Sequence, residues 1–137
     1  MAHRRLVAAC AALAVAVLPL MVGGCARTPT CFPEAVTATP STVTAGSTVT
    51  VSSTAASCDL GYSSAHTYTL RLTHRESTTQ AVNAPVKPDG SFTATVPVPA
   101  DFPHGTAYIA VTGTAYDDCA DSGSGSCAGY GTTIDVE

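Results

Sequence analysis

Apolar and polar residues alternate along residues 66–73 in the pattern of a β-strand with one buried face. Three apolar side chains, Tyr68, Leu70 and Leu72, alternate there with threonine and arginine. This period of two predicts a strand with one face in a core and the other in solvent. Residues 91–98 repeat the pattern after Asp89-Gly90, a dipeptide that is typical of a hairpin turn.

Weaker segments of the same kind, separated by turn residues, predict the rest of the fold. The predicted strands are 35–38, 48–52, 66–73, 80–87, 91–98, 106–114 and 131–136. Pro97 and Pro99 are expected to end the fifth strand or keep it at a sheet edge. Seven short strands in roughly 100 residues predict an all-β, antiparallel β-sandwich. Its predicted core is Val36, Val49, Val51, Tyr68, Leu70, Leu72, Phe92, Val96, Ile109, Val111, Ile134 and Val136.

Two segments resemble the immunoglobulin-like modules of bacterial surface and secreted proteins. They are TPSTVTAGSTVTVS at 39–52 and PDGSFTATVPVPADFPHGTAYIAVTG at 88–113. The first carries a Pro-Ser turn and a glycine ahead of a strand, and the second carries an Asp-Gly-Ser-Phe turn and a proline-rich corner. The resemblance implies an immunoglobulin-like sandwich over residues 34–137. The chain has no tryptophan and lacks the inter-sheet cysteine placement of antibody domains, so it lies outside that branch.

The N-terminus resembles the signal peptide of bacterial lipoproteins. Two arginines precede an apolar run at 6–22, and Val22-Gly23-Gly24-Cys25 closes it with small residues before a cysteine. The resemblance implies a signal peptide at 1–24, a lipid on the sulfur of Cys25 and a tether at 25–33. The alternatives are an ordinary secretory signal and a retained membrane helix. The apolar run is shorter than the roughly 20 residues of a spanning helix, and Pro19 interrupts it.

The chain that remains after residue 24 is short and acidic. It has 113 residues, enough for one domain, and carries four basic against ten acidic side chains, a net charge of about −6. A chain with this negative charge has no basic surface of the kind that binds nucleic acid. The expected location is outside the cytoplasm, anchored to the cell membrane through Cys25. No cofactor is expected.

Six cysteines are present, and their positions divide them by role. By the lipoprotein resemblance, Cys10 would leave with the signal peptide and Cys25 would carry lipid, which leaves Cys31, Cys58, Cys119 and Cys127. An even number in an exported domain predicts two disulfides, with three possible pairings. The short Gly/Ser loop between Cys119 and Cys127 favours their mutual bond, and a Cys31–Cys58 bond then follows. A zinc site is the alternative, but no Cys-x-x-Cys pair occurs.

Immunoglobulin order would gather these four cysteines at one end of the sandwich. Because Cys31 is six residues from Cys25, that end is expected to face the membrane. The loops around His74, Arg75, Glu76 and His104 would then face outward, and they are the first place to look for function.

Metal candidates are few. His74 and His104 could both reach the outward end, near Glu76 and Asp101, but loop histidines are ordinarily solvated. His66 is eight residues from His74 on one strand, about 26 Å away, so the two cannot share an ion. The acidic loop that holds Asp117, Asp118 and Asp121 could offer oxygens to calcium. Its spacing is not that of an EF-hand, and a solvated loop is the simpler interpretation.

Catalytic motifs are lacking. No serine lies in a Gly-x-Ser-x-Gly elbow, and no phosphate loop or His-Glu-x-x-His helix occurs. Four tyrosines are expected outside or at strand ends, where they would suit a recognition surface. They are Tyr62, Tyr108, Tyr116 and Tyr130, and Tyr108 has an alternative structural role as a corner tyrosine.

These patterns predict a non-enzymatic binding or structural module whose partner is an envelope protein or a glycan. The alternatives are a small metal-binding lipoprotein and, less favoured, a hydrolase.

Overall fold

The computed structural model describes residues 30–75, 77–117 and 128–137, and these form an all-β domain. Nine strands occur in chain order. They are β1 Thr37–Thr39, β2 Thr42–Val43, β3 Thr48–Ser53, β4 Thr67–His74, β5 Ser77–Thr78, β6 Val82–Pro85, β7 Phe92–Pro97, β8 Gly105–Thr112 and β9 Gly131–Val136. The prediction of an all-β chain is confirmed.

The strands form two sheets. One has the order β1-β3-β7, and the other has the order β2-β9-β8-β4-β5. Strand β6 also pairs with β4, on the edge that β5 occupies further along. All pairs are antiparallel except β2 with β9, which is parallel. The expectation of a purely antiparallel arrangement is therefore wrong at one pair.

The first predicted strand differs most from the structure. The chain makes β1 in the smaller sheet, passes a cis Thr39-Pro40 bond, and then makes β2 in the larger sheet. Pro40 has no N–H to donate, so the pairing of β1 with β3 cannot run through it. The predicted strand 35–38 corresponds to β1, and β2 is an additional short strand in the other sheet that the sequence does not predict.

The hairpin predicted at Asp89-Gly90 is also wrong. The turn exists: Asp89 Oδ1 accepts hydrogen bonds from the amide of Ser91 at 2.9 Å and from its hydroxyl at 2.7 Å. These bonds lower the pKa of Asp89 below its ordinary value. However, β6 before the turn pairs with β4, while β7 after it pairs with β3. The turn therefore joins the two sheets.

The core lies between the sheets, and every residue predicted for it is buried. The remaining members of the core cluster are Val43, Ala84, Val86, Val98, Phe102, Ala107 and Tyr130. Alternation explains this success, because β4, β7, β8 and β9 each turn every second side chain inward. Strand β7 ends at Pro97 and lies at a sheet edge, as the prolines predict.

Candidate functional site

The connections between strands gather at two ends of the domain. The disulfide end holds residues 30–36, the loop 54–66 and the segments 113–117 and 128–130. The far end holds the turn 44–47, the turn after His74 and the corner 98–104. Two backbone hydrogen bonds join the corner 98–104 to the turn 44–47, from Gly46 N to Val98 O at 3.0 Å and from Val98 N to Ser47 O at 2.9 Å.

Cys31 and Cys58 form a disulfide, with their Cα atoms 5.9 Å apart and 27 positions apart in sequence. This pairing matches the prediction. It ties the first described segment to the loop between β3 and β4, so the chain enters the domain at this end. Cys25, Cys119 and Cys127 lie outside the described residues, and the lipid site and second disulfide stay predictions.

An aromatic cluster fills the disulfide end. Tyr68 is fully buried at its centre, with edge contacts to Phe92 at 5.1 Å and to Tyr130 at 6.0 Å between ring centroids. Tyr116 stacks on Tyr130 at 5.3 Å, and Phe32 packs on Tyr116 at 4.6 Å. These rings come from distant parts of the chain, which is why no local pattern predicts the cluster.

The expectation that Tyr130 lies at the surface is wrong. Only 7% of the residue is exposed: its ring packs against Tyr68 and Tyr116, and its hydroxyl donates to the backbone oxygen of Glu34 at 2.7 Å. Burial raises the pKa of Tyr130 above its ordinary value. Burial also raises the pKa of Tyr68, and its hydrogen bond to the Tyr62 hydroxyl adds to the effect. These tyrosines are structural.

His66 and Asp117 also have structural roles at this end. The His66 ring stacks on Tyr62 with centroids 3.8 Å apart, and its Nε2 lies 2.8 Å from the backbone oxygen of Gly113. Because a carbonyl only accepts, Nε2 must carry the proton. Asp117 Oδ2 accepts from the amides of Gly113 and Thr114 and so holds the turn that follows β8.

The described residues do not form either of the predicted metal sites. Across 30–75, 77–117 and 128–137, no group of three or more His, Cys, Asp or Glu side chains is arranged to hold an ion. Asp118 and Asp121, the other members of the predicted calcium loop, lie outside these ranges. His74 and His104 do line one surface depression, of about 540 Å³, but Asp101 lines a different one, of about 390 Å³.

Arg75 borders the same depression as the two histidines and has an unusual backbone. His74 pairs with Ser77, so only positions 75 and 76 of the chain separate β4 from β5. Arg75 has φ 51°, in the left-handed region that asparagine and glycine adopt more easily. Glu76 lies outside the described residues. No Asn-Gly or Asp-Gly signal marks this turn, so the sequence alone does not predict it.

The outer face of the larger sheet runs from this depression across β4, β8 and β9. Its side chains form rows in register. Arg71, Ala110 and Gly131 make one row, Thr73, Tyr108 and Thr133 make the next, and Thr106 and Asp135 follow. We call these eight residues the Tyr108 face. It is mostly threonine and small residues, with one aromatic ring near its centre.

Tyr108 lies across the backbone of its neighbour strand. A Cβ on Gly131 would come 2.6 Å from the Tyr108 hydroxyl oxygen, and one on Gly129 would come 3.1 Å from it. The ring therefore rests where other residues would place a side chain. Tyr108 is 36% exposed and points outward between buried Ala107 and Ile109, so it is not a corner tyrosine.

The chain matches no protein-family model, and neither curated proteins nor solved structures give a significant match. No helix in the described ranges has the length and apolarity to cross a bilayer. Function therefore has to be inferred from the residues and their placement.

Proposed function

We propose that this chain is an exported lipoprotein, anchored to the outer side of the cell membrane by lipid on Cys25. Its folded part, an immunoglobulin-like sandwich, is a non-enzymatic binding module that presents its far end and the Tyr108 face to the cell envelope.

The spacing between Cys25 and Cys31 carries this proposal. The sequence Val22-Gly23-Gly24-Cys25 has the form of a lipoprotein cleavage site, and the disulfide-bonded Cys31 follows six residues later. Six extended residues reach about 20 Å, so a lipid on Cys25 would hold the disulfide end close to the membrane. The disulfide itself suits an oxidising compartment outside the cytoplasm.

Strand order supports the immunoglobulin-like assignment. In the seven-stranded form of such domains the first, second, fourth and fifth strands share one sheet, and the third, sixth and seventh share the other. Among the described residues, the smaller sheet has no counterpart of the fourth strand. With β1 and β2 taken as one split first strand, β1-β3-β7 and β9-β8-β4 follow that order. The short β5 and β6 then correspond to the additional strand beside the third.

Open surfaces support binding rather than catalysis. The depressions among the described residues lie at the surface, and the core between the sheets is filled by aliphatic and aromatic side chains. Two large apolar side chains in the described ranges are exposed, Phe32 at 43% and Tyr108 at 36%. Phe32 lies beside the tether, so Tyr108 is the aromatic that an anchored domain would present outward.

Replacement of Cys25 tests the anchor. Cys25→Ser, expressed in a bacterial host and fed an alkyne-labelled palmitate, is expected to lose both the label and recovery in the membrane fraction. Cys10→Ser is the matched control: it removes a cysteine from the predicted signal peptide and should keep both. Label retained in Cys25→Ser would contradict the proposal.

A further inference from the structure

We propose that the Tyr108 face binds a neutral glycan, with one sugar ring stacked on the Tyr108 side chain. Only the outward orientation of this face rests on the proposed function; the binding chemistry stands on the geometry of the sheet.

The aromatic ring provides a platform. Tyr108 lies over Gly131, where a Cβ would meet the ring carbon Cζ at 2.7 Å, and its residue stays 36% exposed. One side of the phenol is thus supported by backbone while part of it is open. A phenol is uncharged at ordinary pH, and burial raises the pKa of Tyr108 further. An exposed aromatic ring that is held in place by the sheet suits the apolar C–H face of a sugar.

The platform has hydroxyl groups on both sides. Thr73 pairs with Tyr108 across β4 and β8, and Thr133 pairs with it across β8 and β9. Directly opposed residues have Cβ atoms about 5 Å apart, so both threonines lie within reach of the hydroxyls of one hexose. The Tyr108 ring itself fills the space above Gly131, and the neighbouring Ala110 is small and half-buried.

The charged residues around the Tyr108 face favour a neutral ligand over a simple anion or cation. Arg71 lies on the β4 side of the face, where its guanidinium donates to the backbone oxygen of Thr79 at 3.5 Å, and Arg75 lies beyond the end of that strand. Asp135 lies on the β9 side, where its Oδ1 accepts a hydrogen bond from the Thr106 hydroxyl at 2.7 Å. A simple anion would meet the Asp135 carboxylate, and a simple cation would meet the arginines. A sugar hydroxyl both donates and accepts, so a polyhydroxyl chain can satisfy both sides.

Affinity gel electrophoresis tests the proposal with the mature protein extracted in detergent. The probes are dextran, mannan and galactan, each cast into a native gel, with dextran sulfate as the charged comparison. We expect at least one neutral polymer to retard the protein. Tyr108→Ala should weaken that retardation at least tenfold, whereas Tyr108→Phe, which keeps the ring, should stay within threefold. Asp135→Asn, a second variant of unchanged size, should weaken it about threefold or more.

Phe32→Ala is the matched control, because Phe32 is the exposed aromatic at the opposite end. It should bind like the parent protein. Retardation by dextran sulfate alone, equal retardation of Tyr108→Ala, or no retardation by any neutral polymer would overturn the proposal. Cys25→Ser separates this test from that of the anchor, since the variant should leave the membrane and still bind the glycan.

Discussion

Removal of the Cys31–Cys58 disulfide should destabilise the domain mainly by raising the conformational entropy of the unfolded chain. The bond closes a loop of 27 positions, and the chain-entropy relation gives about 3.5 kcal/mol for that length. The folded state keeps other contacts at the same place. Ser53 Oγ and the Tyr130 hydroxyl both donate to Glu34 O, at 2.8 and 2.7 Å, so the first segment should stay in position without the bond.

The measurement is thermal and urea unfolding of Cys31→Ser/Cys58→Ser beside the parent protein. A loss of about 3.5 kcal/mol corresponds to a fall in Tm of roughly 15–25 °C for a domain of this size. The double replacement leaves no unpaired thiol from this bond. A loss of unfolding free energy below about 1 kcal/mol would refute the chain-entropy argument. Changes in the folded state would then outweigh the entropy effect on the unfolded chain.

The same variant tests the second predicted disulfide. Cys119 and Cys127 remain in it, and their loop of eight positions corresponds to about 2.5 kcal/mol by the same relation. Addition of a reductant should therefore destabilise the double variant further. Unchanged unfolding under reducing conditions would contradict the Cys119–Cys127 bond.

Four further predictions concern single residues. Gly131→Ala should lower the free energy of unfolding in urea by about 1–3 kcal/mol. The new Cβ would meet the Ile109 carbonyl oxygen as well as Tyr108, so adding Tyr108→Ala should not restore stability. Asp117→Ala should cost about 1–3 kcal/mol in the same assay, since two amides lose their shared acceptor. Arg75→Gly should stabilise the domain by up to about 1 kcal/mol, because glycine adopts a positive φ without strain; a loss of stability would contradict the turn geometry. The folded-state pKa of Tyr68 is raised, so its contribution to stability is complete below pH of about 10 and is lost above it, as the unfolded chain ionises. Tyr68→Phe should therefore flatten the alkaline fall in the free energy of unfolding by up to about 1.4 kcal/mol per pH unit, and an unchanged slope would assign the fall to other groups.

Local periodicity predicts what each strand buries but not which strand it joins. The alternation of Tyr68, Leu70 and Leu72 identifies β4 and its inward face, because burial depends on the local period of two. Pairing depends on contacts distant in sequence. The Asp89-Gly90 turn has the chemistry of a hairpin, yet it connects two sheets.

The same limit applies to the candidate sites. Tyr130 has no local feature that distinguishes it from a surface tyrosine, and its burial comes from Glu34, 96 positions away. Tyr108 is visible in the sequence only as the outward position between Ala107 and Ile109. Its position over Gly131, the diagonal neighbour on β9, depends on the register of β8 with β9, which no single-strand pattern gives.

The tyrosines differ in accessibility according to their place in the domain, and this difference moves the candidate site. Tyr62, Tyr116 and Tyr130 lie in one packed cluster at the disulfide end, where their rings and hydroxyls contact each other, Tyr68 or the backbone. Tyr108 lies outside that cluster with its ring on a sheet of threonines. The sequence points to the loops around His74 and His104 as the functional region, and the depression they line does border Tyr108. A ligand on the Tyr108 face would therefore reach these loops from the sheet. The strained Arg75 turn would hold a guanidinium at the edge of that face, where a less strained residue such as glycine would offer no side chain to the ligand.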